Sequence, residues 1–210
     1  MILFALFGVP SFAFGAYFLA RWLHGRPAEG PEAGRPSLLH LVWGALYAVP
    51  CFFLGRLLAR IFPESYRPFL LYLHLLTRDH LFQGAFLALA FFTFLRSAEL
   101  RQLLFFTAGY LSLLALGAVL SAHGMQDAYE LFLLPALRMS ALLLLPFLFR
   151  RSQRDAGLPA ALALAAFVLV PLAGGFTAYL YARSWPVWAG VCTVGLLAAA
   201  LASIAFLRDS

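Results

Sequence analysis

Lysine is missing from this chain altogether, and all fifteen of its basic residues are arginine. Without a lysine amine there is no Schiff base to retinal or pyridoxal phosphate, and no phosphate-loop lysine. Charge is scarce as well: 11% of residues are charged, against about 25% in an ordinary soluble domain. Cysteine is limited to Cys51 and Cys192, too few for a disulfide framework or a zinc site. Each lies in an apolar run, where a free thiol behaves as a small hydrophobe. Neither the Gly-x-Ser-x-Gly pattern of serine hydrolases nor the His-Glu-x-x-His pattern of metalloproteases occurs.

What the chain has instead is length in apolar runs. Of its 210 residues 63% are hydrophobic, and the mean hydropathy is +0.88. A membrane span needs roughly 20 mostly apolar residues. The sequence divides into seven such runs, Ile2–Arg21, Leu38–Arg60, Thr77–Leu95, Gln102–Ala122, Tyr129–Phe149, Ala160–Tyr181 and Val187–Leu207. They show no period-two alternation, so helices rather than a barrel satisfy the backbone in lipid. The expected fold is an all-α polytopic bundle of seven transmembrane helices, a single membrane domain over residues 1–210 with no soluble domain. The first run has no basic stretch before it, and its first arginine, Arg21, follows it. It therefore reads as a retained helix and not as a secretory signal.

The arginines orient the bundle, because basic residues accumulate in cytoplasmic joints. Arg21, Arg26, Arg35, Arg96, Arg101, Arg150, Arg151, Arg154 and Arg208 fall on one side of the expected bundle. Arg56, Arg60, Arg67, Arg78, Arg138 and Arg183 fall on the other, several of them inside or against helices. That puts the N-terminus outside and the C-terminus in the cytoplasm, in a cell inner membrane crossed many times. The net charge of +6 then reflects topology and contact with anionic lipid. No basic face is left free of lipid for nucleic acid.

The runs differ in texture. Nineteen of the 22 phenylalanines lie at or before Phe149, while the last two runs are rich in small residues, as in ALALAAF and LLAAALASIAF. Small residues let helix backbones approach closely where no hydrophobic effect drives association. The sixth and seventh helices are therefore expected to pack tightly, against each other, another membrane subunit or a second copy. Pro10, Pro50, Pro135, Pro146 and Pro171 fall within expected spans, where proline frees a carbonyl and can kink the helix.

The remaining signal is the ionisable residues. LHLLTRDHLFQGAF sets Arg78, Asp79 and His80 side by side in an otherwise lipid-soluble stretch. Counting back from Arg96 at ~1.5 Å per residue puts them near the outer boundary of the third span, and leaves Tyr66–Leu76 as a proline-started segment with three alternatives: to lie along the interface, to dip back, or to extend the third helix outward as a long tilted rod. Arg56 and Arg60 lie at the outer end of the second span, and His123, Asp127 and Glu130 flank the joint between the fourth and fifth. Arg138 lies deeper, ~12 Å below Glu130 along a helix. Charge at mid-membrane costs at least ~2.5 kcal/mol and usually has a partner facing a polar interior. Asp79 is the acid placed within a span to answer it. The bland account is an ion pair that fixes helix register, with the remaining arginines snorkelling to headgroups.

The functional account is an outward-facing ligand pocket among spans two to five, lined by Arg56, Arg60, Arg78, Asp79, His80, His123, Glu130 and Arg138. Arginines there suit a small anion, a carboxylate or a lipid headgroup. That points to a transporter or channel-type protein, or the membrane subunit of a larger complex. An intramembrane enzyme with Asp79 or His80 as general base acting on a lipid-linked substrate is the first alternative, disfavoured because no catalytic signature accompanies it. A b-type haem or quinone subunit is the second. No span carries two histidines two to four turns apart, so no cofactor is expected, and His80, Asp79 and His123 make no stronger case for a metal. A reporter fused after Gln126 should read out as external and one after Arg154 as cytoplasmic. A cytoplasmic signal at Gln126 would reverse the orientation.

Overall fold

The computed structural model describes residues 38–61, 67–121, 132–154 and 156–206. Every regular element among them is helical: α1 (Leu38–Ile61), α2 (Pro68–Leu76), a π-helical turn (Thr77–Leu81), α3 (Phe82–Phe92), α4 (Leu100–Ser121), α5 (Leu134–Arg154), α6 (Leu158–Ala182) and α7 (Pro186–Phe206). Three stretches, Leu39–Leu58, Leu100–Gly117 and Leu158–Ala182, are long and apolar enough to cross a membrane, and Phe82–Phe92 and Pro186–Ala202 are shorter apolar helices. The first expected span, Ile2–Arg21, lies outside the described residues.

The helices are apolar on both their inner and outer faces. On α1, Leu39, Trp43, Leu46, Phe53, Leu57 and Ile61 are exposed, while Ala48 and Cys51 are buried. In water such a wall of exposed hydrocarbon would be an aggregation liability. A helix that is hydrophobic all round belongs in a core or a membrane, and the outward face of this bundle is suited to lipid. α4 is the central helix, buried continuously from Leu103 to Leu111. It packs on α1 and α5, α5 packs on α6 and α7, and α6 covers α2 and the π turn.

The closest helix pair is α1 and α4, and glycine makes it possible. A Cβ at Gly44 would overlap the Phe106 carbonyl oxygen and come within 3.0 Å of the Tyr110 nitrogen. A Cβ at Gly109 would in turn overlap the Leu41 carbonyl oxygen and lie 3.0 Å from the Ala45 nitrogen. Eight residues further along each helix, Phe52 lies against Gly117, so the two helices run parallel. Tyr47 of α1 binds the seam to α3, its ring tilted against Phe86 at 4.8 Å and against Phe106 at 5.7 Å.

The last two helices pack on each other, and two glycines of α6 serve a further contact. A Cβ at Gly190 or Gly195 of α7 would meet nothing within 4 Å, and Gly174 and Gly175 of α6 pack against the π turn and the end of α2. α6 itself ends in a Schellman motif. The Trp185 N–H donates to the Leu180 carbonyl at 3.0 Å and the Ser184 N–H to that of Tyr181 at 2.9 Å, with Ser184 at φ 59°. A side chain in that conformation costs roughly 1–2 kcal/mol. The turn leaves Trp185 and Trp188 exposed at the helix end, where indole rings anchor at a membrane surface.

Two helix boundaries differ from the sequence expectation. The third span does not begin at Thr77, because the helix runs on through the π turn to Pro68, where proline suits a first helical position. The fifth continues beyond Phe149 to Arg154, so Arg150, Arg151 and Arg154 are helical and not in a joint. Arginine is a good helix former and stabilises the negative C-terminal end. Substituting Gly109→Leu should destabilise the protein by ~1–3 kcal/mol or more through overpacking against the Leu41 carbonyl. Thermal unfolding in detergent, followed by size-exclusion chromatography, measures the loss.

Candidate functional site

The sequence TRDHL, Thr77 to Leu81, forms the π turn. Leu76 before it has φ −62° and ψ −50°, and Phe82 after it φ −64° and ψ −43°, so ordinary helix resumes on both sides. A π turn places one surplus residue in the helical ladder, and such turns occur often at functional sites. Thr77 sits at its entrance, donating its hydroxyl to the Leu73 carbonyl at 2.7 Å and lying 3.2 Å from that of His74. A side-chain hydroxyl that bonds back one turn competes for the helical carbonyls and bends the helix. The rod from Pro68 to Phe92 is thus continuous but dislocated at Thr77–Leu81.

α6 supplies the opposing surface, and it carries a proline there. Pro171 lies within α6, where it has no N–H to donate and its ring crowds the carbonyl one turn back. The Pro171 ring fills the space where a Cβ on Gly84 would stand, with its own Cβ 3.1 Å away. Gly174 leaves room for the His80 imidazole, whose Nδ1 would be 2.6 Å from an added Cβ. Gly175 admits Leu76, whose Cα would be 3.1 Å from one. Further along, Tyr72 and Tyr179 meet edge to face at 5.9 Å. As the chain ascends in α2 and α3 it descends in α6, so the two run antiparallel. His80 meets α6 ~12 Å from its C-terminal end, from the rise per residue.

Two hydroxyls fasten the other side of the dislocated rod. Tyr110 of α4 donates to the Gln83 carbonyl at 2.8 Å, and Tyr47 of α1 to the Phe86 carbonyl at 2.9 Å. Since the Tyr110 proton is committed to Gln83, the Cys51 thiol, 3.0 Å away, is the donor to the Tyr110 oxygen. Cys51 is buried and serves as a small core residue with one weak hydrogen bond.

The expected site residues are distributed as follows. Arg78 and Asp79 belong to the π turn, but the positions of their side chains lie outside the described residues, as does that of Arg60, whose backbone belongs to α1. His123, Asp127 and Glu130 also lie outside. His80 is half-buried against α6. Arg138, on α5, is 8% exposed, and His74, on α2, is 7% exposed; both make contacts within the bundle. Arg56 is exposed, with its guanidinium 4.8 Å above the Phe52 ring, a cation–π contact within its own helix. Arg56 thus stands at the flank of the α1–α4 pair. Among the described residues no group of three His, Cys, Asp or Glu could hold a metal ion.

The residues that sequence reading missed are Gly174 and Gly175, the partners of the π turn. Their signal is the PLAGG stretch, a proline followed within one turn by two glycines. No protein-family model, curated protein or solved structure matches this chain. Gly174→Val should displace the His80 ring and cost ~1–3 kcal/mol by overpacking. In the same thermal melts Gly195→Ala should be neutral or stabilising by up to ~1 kcal/mol, since alanine is the better helix former and space is open there. Equal behaviour of the two variants would remove the His80–Gly174 contact from the argument.

Proposed function

We propose that this chain is a seven-span protein of a cell inner membrane, N-terminus outside, that works as a transporter or channel-type protein or as the membrane subunit of a larger complex. In this reading a small anion, a carboxylate or a lipid headgroup enters an outward-facing polar pocket lined by spans two to five. The observation that carries it is the π turn Thr77–Leu81, bearing Arg78, Asp79 and His80, packed against the proline- and glycine-bearing stretch Pro171–Gly175 of α6. Irregular helix and charge at membrane depth are tolerated where they are buried in protein or line a polar path, and π turns occur often at functional sites.

Two further observations support the reading. Arg138 is buried in an apolar bundle, where an arginine is retained against a cost of at least ~2.5 kcal/mol and marks a ligand pathway by default. The parallel run of α1 and α4 and the antiparallel run of α3 and α6 agree with helices that alternate in direction across a bilayer. Nothing in the site calls for a covalent step. Arginine holds the anion by charge-assisted, bidentate hydrogen bonds.

Purified protein in liposomes, assayed with radiolabelled phosphate, sulfate and succinate, tests this. Uptake of at least one of the three should exceed that of empty liposomes and fall roughly tenfold or more in Arg138→Met, the loss expected for one charge-assisted contact. If none of the three is carried, or if Arg138→Met carries it undiminished, the transport reading fails. If Asp79→Arg combined with Arg138→Asp restores the folding lost in each single variant and also restores uptake, the pair is structural only.

A further inference from the structure

At the far end of α3 from the π turn lies a cavity of about 1040 Å³. It opens between the turn after α3, the last turn of α5 and the first turns of α6. Arg96, Ser97, Arg150 and Gln153 form its polar side, and Phe92 and Leu164 its apolar side. Phe92 joins the cavity to an aromatic cluster in the core: Phe91 and Phe92 meet Phe149 with ring centroids 5.0 Å apart, and Phe167 lies 6.1 Å from Phe91. The corner is held by Gly157, whose φ of 69° and ψ of −137° belong to a region that only glycine enters freely. That residue turns the chain directly from α5 into α6.

The donor inventory of the cavity selects an anion. Thr93 and Ser152 also line it, but their single hydroxyl protons are spent on the Leu89 and Phe149 carbonyls, at 2.6 and 2.7 Å. The donors left are the Arg96 and Arg150 guanidiniums, the Ser97 hydroxyl and the Gln153 amide. No acid is among the lining residues, and among the described residues none pairs with Arg96 or Arg150, whereas Arg151 and Arg154 are engaged in contacts. Ala160 and Ala161 bring the first turn of α6 to the wall. That turn has neither a side-chain cap nor an acid, and its positive dipole end adds to the two arginines. Guanidinium forks match phosphate oxygens in geometry as well as charge.

The size and the apolar wall select the rest of the ligand. Pockets for drug-sized molecules hold roughly 300–1,000 Å³, so an isolated inorganic phosphate would leave this one mostly empty. Phe92 and Leu164 are each nearly half exposed, at 46% and 42%, and offer a surface that a free phosphate cannot use but an acyl chain can.

We propose that this cavity binds the phosphate ester of an amphiphile, as in the headgroup of an anionic phospholipid, with Arg96 and Arg150 on the phosphate and Phe92 and Leu164 on the adjoining hydrocarbon. The site is separate from the π turn and stands independently of the transport reading. Native mass spectrometry of the full chain released from nanodiscs of equal parts phosphatidylglycerol and phosphatidylcholine tests it. The parent should retain phosphatidylglycerol in preference to phosphatidylcholine. Arg96→Gln with Arg150→Gln should weaken that retention roughly tenfold or more, while Arg151→Gln with Arg154→Gln, the same loss of charge at the same end, should stay within about twofold. Equal losses in the two double variants, or no preference between the lipids in the parent, would overturn the site. Millimolar inorganic phosphate should leave the bound phosphatidylglycerol in place; its displacement would assign the cavity to free phosphate and overturn the amphiphile. Ala161→Trp, at an exposed lining position, fills the cavity without altering any charge. It should lose the lipid even if the arginine variants fail to fold, and retention at the parent level would refute the proposal.

Discussion

In lipid the hydrophobic effect does not press helices together, so association rests on how closely their backbones can meet. The parallel crossing of α1 and α4 meets that constraint through Gly44 and Gly109, each lying against a carbonyl of the other helix. α4 becomes the axis on which the rest is hung. Its Tyr110 reaches the Gln83 carbonyl and, with Tyr47 from α1, holds the rod of α2 and α3 just beyond its dislocation. The same rule recurs on the opposite side, where Gly174 and Gly175 let α6 approach that rod. Glycine thus performs at two seams the work that large side chains do in a soluble core.

The π turn and Pro171 belong together physically. Each disturbs the hydrogen-bond ladder of its own helix, and an exposed disturbance inside hydrocarbon would be expensive. Packed face to face, each is covered by the other. The Pro171 ring occupies the hollow at Gly84, and the His80 ring the hollow at Gly174. Two irregular helices can therefore coexist in one apolar bundle because their irregularities coincide in space.

Element type was legible in the sequence because apolar runs of this length permit little but helix. The ends of α1, α4, α6 and α7 fall within two residues of the expected spans, where polar or proline-bearing joints interrupt the apolar run. The span itself was counted from Thr77, with outward extension through Tyr66–Leu76 as one of three alternatives, and the helix takes that extension from Pro68. A π turn has no hydropathy signature, and TRDHL looks like an end although the helix passes through it. Small residues were visible, but their partners were not. Composition pointed to the sixth and seventh spans, whereas the tightest seam needs just one glycine in each of two helices. The cavity at Arg96 and Arg150 was hidden for a related reason. Its arginines come from distant parts of the chain and read individually as topology signals.

A π turn is a dislocation, a single surplus residue held in an otherwise regular screw. Moving that surplus by one position toward either end leaves both halves of the rod where they are and turns only the residue it passes, by about one helical step of ~100°. Along Thr77–Leu81 the residues it would pass are Arg78, Asp79 and His80. The rod therefore contains, at Thr77–Leu81, a place where a residue can change its position in the helical screw without any helix sliding, tilting or leaving its glycine seam.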